Sequence, residues 1–215
     1  TGGDALARMR RDLRIDRILA DLPSLTEGTI EGAERTRDIV DGLKRFSALD
    51  RSDGGRFNLA DVLERAVHWV AKASPTDFLV HRRWPEDIPV EGSAGQLQQV
   101  VMNLVENARD ATAGRDRPAL TVSGHVGTGQ VHLSFHDDGP GIAAADLPHI
   151  FDPFFTTKPV GQGTGLGLAI SYSIVERHGG KLAAANHPDG GAVFTLSLPL
   201  AENKPATGGT QAESA

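Results

Sequence analysis

The stretch that most constrains this chain runs from Gln99 to Ala111: Gln-Val-Val-Met-Asn-Leu-Val-Glu-Asn-Ala-Arg-Asp-Ala. It holds no glycine or proline and is rich in good helix formers, which predicts a helix. On that helix Gln99, Asn103, Asn107 and Asp110 fall at i, i+4, i+8 and i+11 and form one polar stripe. Leu97, Val100, Val101, Leu104, Ala108 and Ala111 form the opposite, apolar stripe. Amides are poor solubilisers and good ligands. Their oxygens suit a hard cation such as Mg²⁺, which takes a few protein oxygens together with phosphate oxygens. An ordinary solvated face stays open as the other reading until the downstream motifs are considered.

With 215 residues the chain has room for one ordinary domain and a smaller element. A net charge of −6 argues against a broad nucleic-acid footprint. The absence of cysteine removes disulfides, thiolate metal sites and Cys nucleophiles, and accords with a cytoplasmic setting. No apolar run approaches the ~20 residues that cross a bilayer and no signal peptide opens the chain, so membrane attachment is expected only through further upstream segments. The start, Thr1-Gly2-Gly3, lacks an initiator Met, and a fragment of a longer protein is expected.

In chain order, Arg8 to Leu22 shows helical spacing, Asp21-Leu22-Pro23-Ser24 predicts a break or kink, and Leu25, Ile30, Ala33, Val40, Leu43 and Phe46 mark an amphipathic helix ending near Asp50. Its apolar stripe calls for a second helix to cover it. Residues 1–50 are therefore read as a partial helical dimerisation segment, 51–56 as a linker, 57–200 as the main domain and 201–215 as a disordered tail. Asn58 is a candidate N-cap for a helix through Ala73, Phe78 to Trp84 reads as a strand, and Glu86 to Ser93 as a turn-rich passage before a helix from about Ala94 to Thr112. Ala119–Val126 and Val131–Asp137 form a predicted hairpin, a helix runs to His178, and Lys181–Asn186 and Ala192–Leu200 are the last strands. This order predicts an α+β fold, a two-layer sandwich of a mixed, mostly antiparallel sheet with helices on one face.

Two glycine motifs and an aromatic loop follow the amide-bearing helix. In Asp138-Gly139-Pro140-Gly141-Ile142, a carboxylate at a strand end beside two glycines can accept from a ligand amine while bare backbone admits a flat ring; a plain turn is the alternative. Alternation along the preceding strand puts Val131, Leu133 and Phe135 on one face and His132, Ser134, His136 and Asp138 on the other. Gly161, Gly163, Gly165 and Gly167 lead into an apolar helix, which suits a phosphate site or a hinge; no Walker lysine follows. Between them, Phe151, Phe154 and Phe155 in one long loop need a surface to cover, as a lid would have.

Together, in this order, these motifs resemble the ATP-binding domain of sensor histidine kinases, whose fold is shared with gyrase, Hsp90 and the mismatch-repair ATPases. Asn103 to Asp110 is similar to that family's N box, Asp138 to Gly141 to its G1 box, Phe151 to Lys158 to its F box and Gly161 to Gly167 to its G2 box. The wording Phe-Asp-Pro-Phe-Phe-Thr-Thr-Lys resembles the nitrogen-regulatory subgroup, and Gly32 to Ser47 the second helix of the family's dimerisation bundle. The resemblance implies an enzyme that transfers the γ-phosphoryl of ATP to a histidine, for relay to a response-regulator receiver domain, in a homodimer. It implies Mg²⁺ on Asn107 with Asn103 nearby, adenine on Asp138 with Gly139 and Gly141, phosphates on Gly163, Thr164, Gly165 and Gly167, and Ile142 and Leu166 among the nucleotide contacts. Asp110, Phe155 and Thr157 complete the implied nucleotide contacts, and Asn103, Glu106 and Lys158 the implied catalytic set. The ATPases of the fold carry a Glu where Asn103 stands, and Glu106 lies about 60° off the amide stripe. The family's phosphorylated His sits in a His-Glu pair on the first bundle helix, yet residues 1–50 hold no histidine and none of the eight in the chain precedes a Glu. ATP binding without self-phosphorylation is expected. A degenerate ATP-binding interaction module is the alternative.

Overall fold

The computed structural model describes residues 3, 9, 14–47, 54–73, 78–159 and 163–201. The expectations for the helix end near Asp50, for Arg51 to Asp53, for the break at 74–77, for Gly161 and for the tail beyond 201 lie outside the described residues.

Helix α1 (Ile15–Ser47) runs unbroken through Pro23, so of the break or kink expected there the break does not occur. Proline supplies no N–H to that turn, which leaves only the carbonyl of Leu19, on an exposed stretch of helix, without its helical donor. Leu25, Ile30 and Val40 on α1 are exposed. The side chains of 41–47, Leu43 and Phe46 among them, lie outside the described residues.

The remaining chain forms β1 (Gly55–Asn58), α2 (Leu59–Ala73), β2 (Leu79–Arg83), β3 (Pro89–Gly92), α3 (Ala94–Ala111), β4 (Ala119–Val126), β5 (Gln130–Asp137), α4 (Gly167–Arg177), β6 (Lys181–Asn186) and β7 (Ala192–Pro199). The five-stranded sheet has the order β2-β4-β5-β7-β6, parallel only between β2 and β4, and a separate antiparallel pair joins β1 to β3. Helices α2, α3 and α4 pack on one face of the large sheet, as an α+β sandwich requires. Two expectations are corrected. The linker 51–56 enters β1 at Gly55, and the passage Glu86 to Ser93 contains β3, which Phe57–Val90 pairing holds in register.

Asn58 caps α2: its Oδ1 accepts from Ala60 N at 3.0 Å and from Ile88 N at 2.9 Å, and its Nδ2 donates to Glu86 O at 2.7 Å. Helix α3 begins at Ser93, whose Oγ accepts from Gln96 N. It buries Leu97, Val100, Val101, Leu104, Val105 and Ala108, whereas Ala111, expected on that stripe, is exposed. Each buried Leu or Val contributes about 1.5–3 kcal/mol against helix propensities below ~1 kcal/mol, so packing fixes the rotation of α3 about its axis.

That rotation is pinned at its start. His178, the C-cap of α4, donates from Nδ1 to Ile174 O at 2.8 Å and accepts at Nε2 from Ser93 N at 3.0 Å. His178→Ala leaves the Ser93 N–H without its acceptor and is expected to destabilise the domain by about 1–3 kcal/mol, read as a lowered urea midpoint at unchanged slope.

Candidate functional site

The four motifs meet around the C-terminal half of α3. Asn103 is tied to α4: its Nδ2 donates to Gly167 O at 3.0 Å and to Ser171 Oγ at 3.1 Å, which leaves Oδ1 as its open acceptor. Ser171 is fully buried, and its own Oγ donates to Gly167 O at 2.9 Å. One turn on, Asn107 is half-buried and makes no side-chain hydrogen bond among the described residues. A half-buried amide with no protein partner is the more ligand-like of the two. Glu106 is half-buried beside them.

At the end of β5 the strand alternation has a consequence for the carboxylates. Val131, Leu133, Phe135 and Asp137 are buried on the helix-facing side, and Asp137 is only 3% exposed. Asp138, the residue singled out in sequence, points elsewhere: its Oδ1 accepts from Ala119 N at 3.0 Å and its Oδ2 lies 3.5 Å from Arg115 Nε. Asp137 Oδ1 accepts from Gly139 N at 2.8 Å and from Ala192 N at 3.2 Å. Its Oδ2 has no bond among the described residues, and no fully buried side-chain oxygen there lacks a partner, so Oδ2 faces an opening. Gly191, at φ +80°, lies so close that a Cβ there would fall 1.8 Å from Asp137 O. Ile142 is held by Asn186, whose Oδ1 accepts from Ile142 N and whose Nδ2 donates to Ile142 O, both at 2.7 Å. Sequence reasoning missed Asp137 and Asn186. The signal for Asp137 was a carboxylate on the apolar face of its strand.

The aromatic loop and the glycine loop cross. Phe154 N donates to Gly165 O at 2.9 Å, and both residues have φ of +68°. A Cβ on Gly165 would sit 2.3 Å from Phe154 C, so glycine is required there for both conformation and space. Thr156 and Lys158 flank Gly163; Lys158 N donates to Thr156 Oγ1 at 3.2 Å. Phe155 is partly buried against the core and Thr157 is exposed. Leu166, assigned to the ligand in sequence, turns its side chain into the core, so only its backbone can face a ligand. Thr164 Oγ1 accepts from Leu166 N at 3.3 Å, and no side chain caps α4, whose first backbone N–H groups are therefore left for an anion. His149 pairs with Asp152 at 2.9 Å.

Residues 92–202 match the family described as histidine kinase-, DNA gyrase B-, and HSP90-like ATPase. Two-component sensor PprA of Pseudomonas aeruginosa is 36% identical over 212 residues, 96% of this chain and 21% of that protein. Sensor histidine kinase ZraS of Klebsiella oxytoca is 37% identical over 145 residues, 66% of this chain and 31% of that protein. The catalytic domain of histidine kinase ThkA, in a nucleotide-free crystal form, is similar at a TM-score of 0.58 and 31% identity, covering 69% of this chain and 98% of that one. The chain thus spans less than a third of the length of these curated relatives.

One ion-pair network joins α3 to the aromatic loop. Asp110 Oδ1 accepts from Arg109 Nη2 at 2.9 Å and Nε at 3.2 Å, and Oδ2 from Lys158 Nζ at 2.5 Å. Burial works to raise the Asp110 pKa, but hydrogen bonds from Lys158 and Arg109, and their charges, outweigh it and hold the carboxyl below its ordinary value. A depressed folded-state pKa means stability that is present above the ordinary value and lost as pH falls through the lowered one. An NMR titration of the Asp110 carboxyl carbon is expected to give a midpoint below 3.8, and Lys158→Met to move it upward.

Proposed function

The chain belongs to the histidine kinase-, DNA gyrase B-, and HSP90-like ATPase family as the catalytic ATPase domain of a two-component sensor histidine kinase, and on that premise we propose that it binds Mg²⁺-ATP around α3 and phosphorylates a histidine on a separate helix. The observation that carries this reading is Asp137. A buried carboxylate with one oxygen committed to backbone N–H groups and the other facing an opening suits an exocyclic amine donor, and Gly139, Gly141 and Gly191 let the surrounding backbone close tightly around it. Asp137, rather than Asp138, is therefore the adenine acceptor.

The other end of the nucleotide falls to the glycine loop. Gly163, Thr164 and Gly165 with the uncapped start of α4 at Gly167 offer backbone donors to phosphates, and Lys158 offers a cation. Asn107 is the Mg²⁺ ligand, its amide being the one without a protein partner, and Asn103 Oδ1 stands next in line. Bound Mg²⁺ supplies charge neutralisation at the phosphates. The chain's own contribution is positioning: α3 holds the amides, the aromatic loop excludes water, and no carboxylate replaces Asn103 to activate it. Glu106 is the remaining candidate for steering the incoming imidazole.

In the whole protein this domain works in a homodimer, with α1 covered by a second helix along Leu25, Ile30 and Val40, and passes phosphate on to a receiver domain. The wording Phe151 to Lys158 supports the nitrogen-regulatory-like subgroup. The chain carries no His-Glu pair, so the acceptor histidine is one that lies on a segment other than this one. The degenerate interaction module is the reading left if nucleotide binding fails.

Calorimetry with a non-hydrolysable ATP analogue tests this. Asp137→Asn is expected to weaken binding by about one to two orders of magnitude, and Asp138→Asn to leave it nearly unchanged. Asn107→Ala should abolish the dependence on Mg²⁺. The opposite ranking of the two aspartates would return the adenine contact to Asp138. Unchanged binding in all three variants would remove the nucleotide site from this face of α3.

A further inference from the structure

Asp110 and Lys158 lie 48 positions apart, yet they form a direct polar side-chain link between α3 and the aromatic loop. Both side chains are about a third exposed, at 36% and 35%, so the pair is neither sealed nor fully solvated. All three donors around the Asp110 carboxylate are accounted for: two from Arg109 on Oδ1 and one from Lys158 on Oδ2. The stem of Lys158 lies beside Gly163, where a Cβ would approach Lys158 Cδ to 3.3 Å. The ammonium is thus held at the junction of the glycine loop and α3 by a carboxylate with one negative charge.

We propose that Asp110 is a positioning residue that occupies Lys158 in place of phosphate, a latch that nucleotide must exchange for its own phosphate oxygens. This rests on the nucleotide reading above and changes the part Asp110 plays in it, from a ligand to a competitor. An ammonium held by one carboxylate is drawn to a polyphosphate of higher charge, so binding transfers Lys158 and frees the loop from α3. Because only the surplus of the new contact over the old one appears as affinity, the latch lowers nucleotide affinity and makes loop release part of binding.

A double-mutant cycle tests the exchange. Titrate the chain with an ADP or ATP analogue in four forms: wild type, Asp110→Asn, Lys158→Met and the double variant. Asp110→Asn is expected to tighten binding by about two- to fivefold in the presence of Lys158 and to have no effect in the Lys158→Met background. In the absence of nucleotide, both single variants should speed amide hydrogen exchange over 156–158 to the level of the double variant. An Asp110→Asn gain that persists in the Lys158→Met background is what removing one negative charge would give, and overturns the latch. Weaker binding in Asp110→Asn would make Asp110 a ligand and overturn it equally. Absence of binding by the wild-type chain overturns the nucleotide reading and the exchange together, whereas binding indifferent to Asp110 overturns the exchange alone.

Discussion

The architecture of the site depends on keeping one stripe of α3 sealed while the opposite stripe stays uncovered. Leu97, Val100, Val101, Leu104, Val105 and Ala108 press into the core, and the helix cannot rotate without exposing them. Asn103, Asn107 and Asp110 then have only one direction in which to project. The helix is further tied at two heights to α4, by Ser93 to His178 at one end and by Asn103 to Gly167 and Ser171 in the middle. Since α4 starts at the glycine loop, the amides and the open helix start are held as one unit.

A second constraint acts through Asp137. Its Oδ1 joins the turn after β5 to the start of β7 by accepting from Gly139 and Ala192. These are neighbouring strands of the sheet, so the carboxylate belongs to the framework as well as carrying an oxygen that faces outward from it. A group with both duties is placed by the fold rather than by a mobile loop, which keeps its free oxygen at a fixed position. Asn186 plays a comparable part for Ile142 by gripping both its N–H and its C=O.

Most of the fold was legible because the periodicities were strong. The hairpin of β4 and β5 and the helix from Ala94 were recognisable from alternation and from a helix-period stripe, and Asn58 and Ser93 cap as their residue types favour. β3 was missed because Pro89-Val90-Glu91-Gly92 is four residues long and owes its form to pairing with β1, a contact between distant segments. The helix continues through Pro23 because the one carbonyl that proline orphans lies on an exposed turn, so the local rule that favours a break there over a kink is outweighed by the helix-forming sequence on both sides. In the candidate site, turn chemistry drew attention to Asp138, whereas strand alternation places Asp137 among Val131, Leu133 and Phe135. The pairing of Asp110 with Lys158 was invisible in sequence, since nothing local links residues 48 positions apart.

Helix α1 has a mechanical consequence. Thirty-three residues of unbroken helix make a rod of about 50 Å. Such a rod resists torsion along its length, because every residue's hydrogen bond opposes unwinding. Pro23 removes one of those bonds roughly a quarter of the way along, and the turn around it is the softest in bending. Strain applied at one end of the rod is therefore taken up first at that turn, in bending and in unwinding alike, before it spreads to the fully bonded turns on either side.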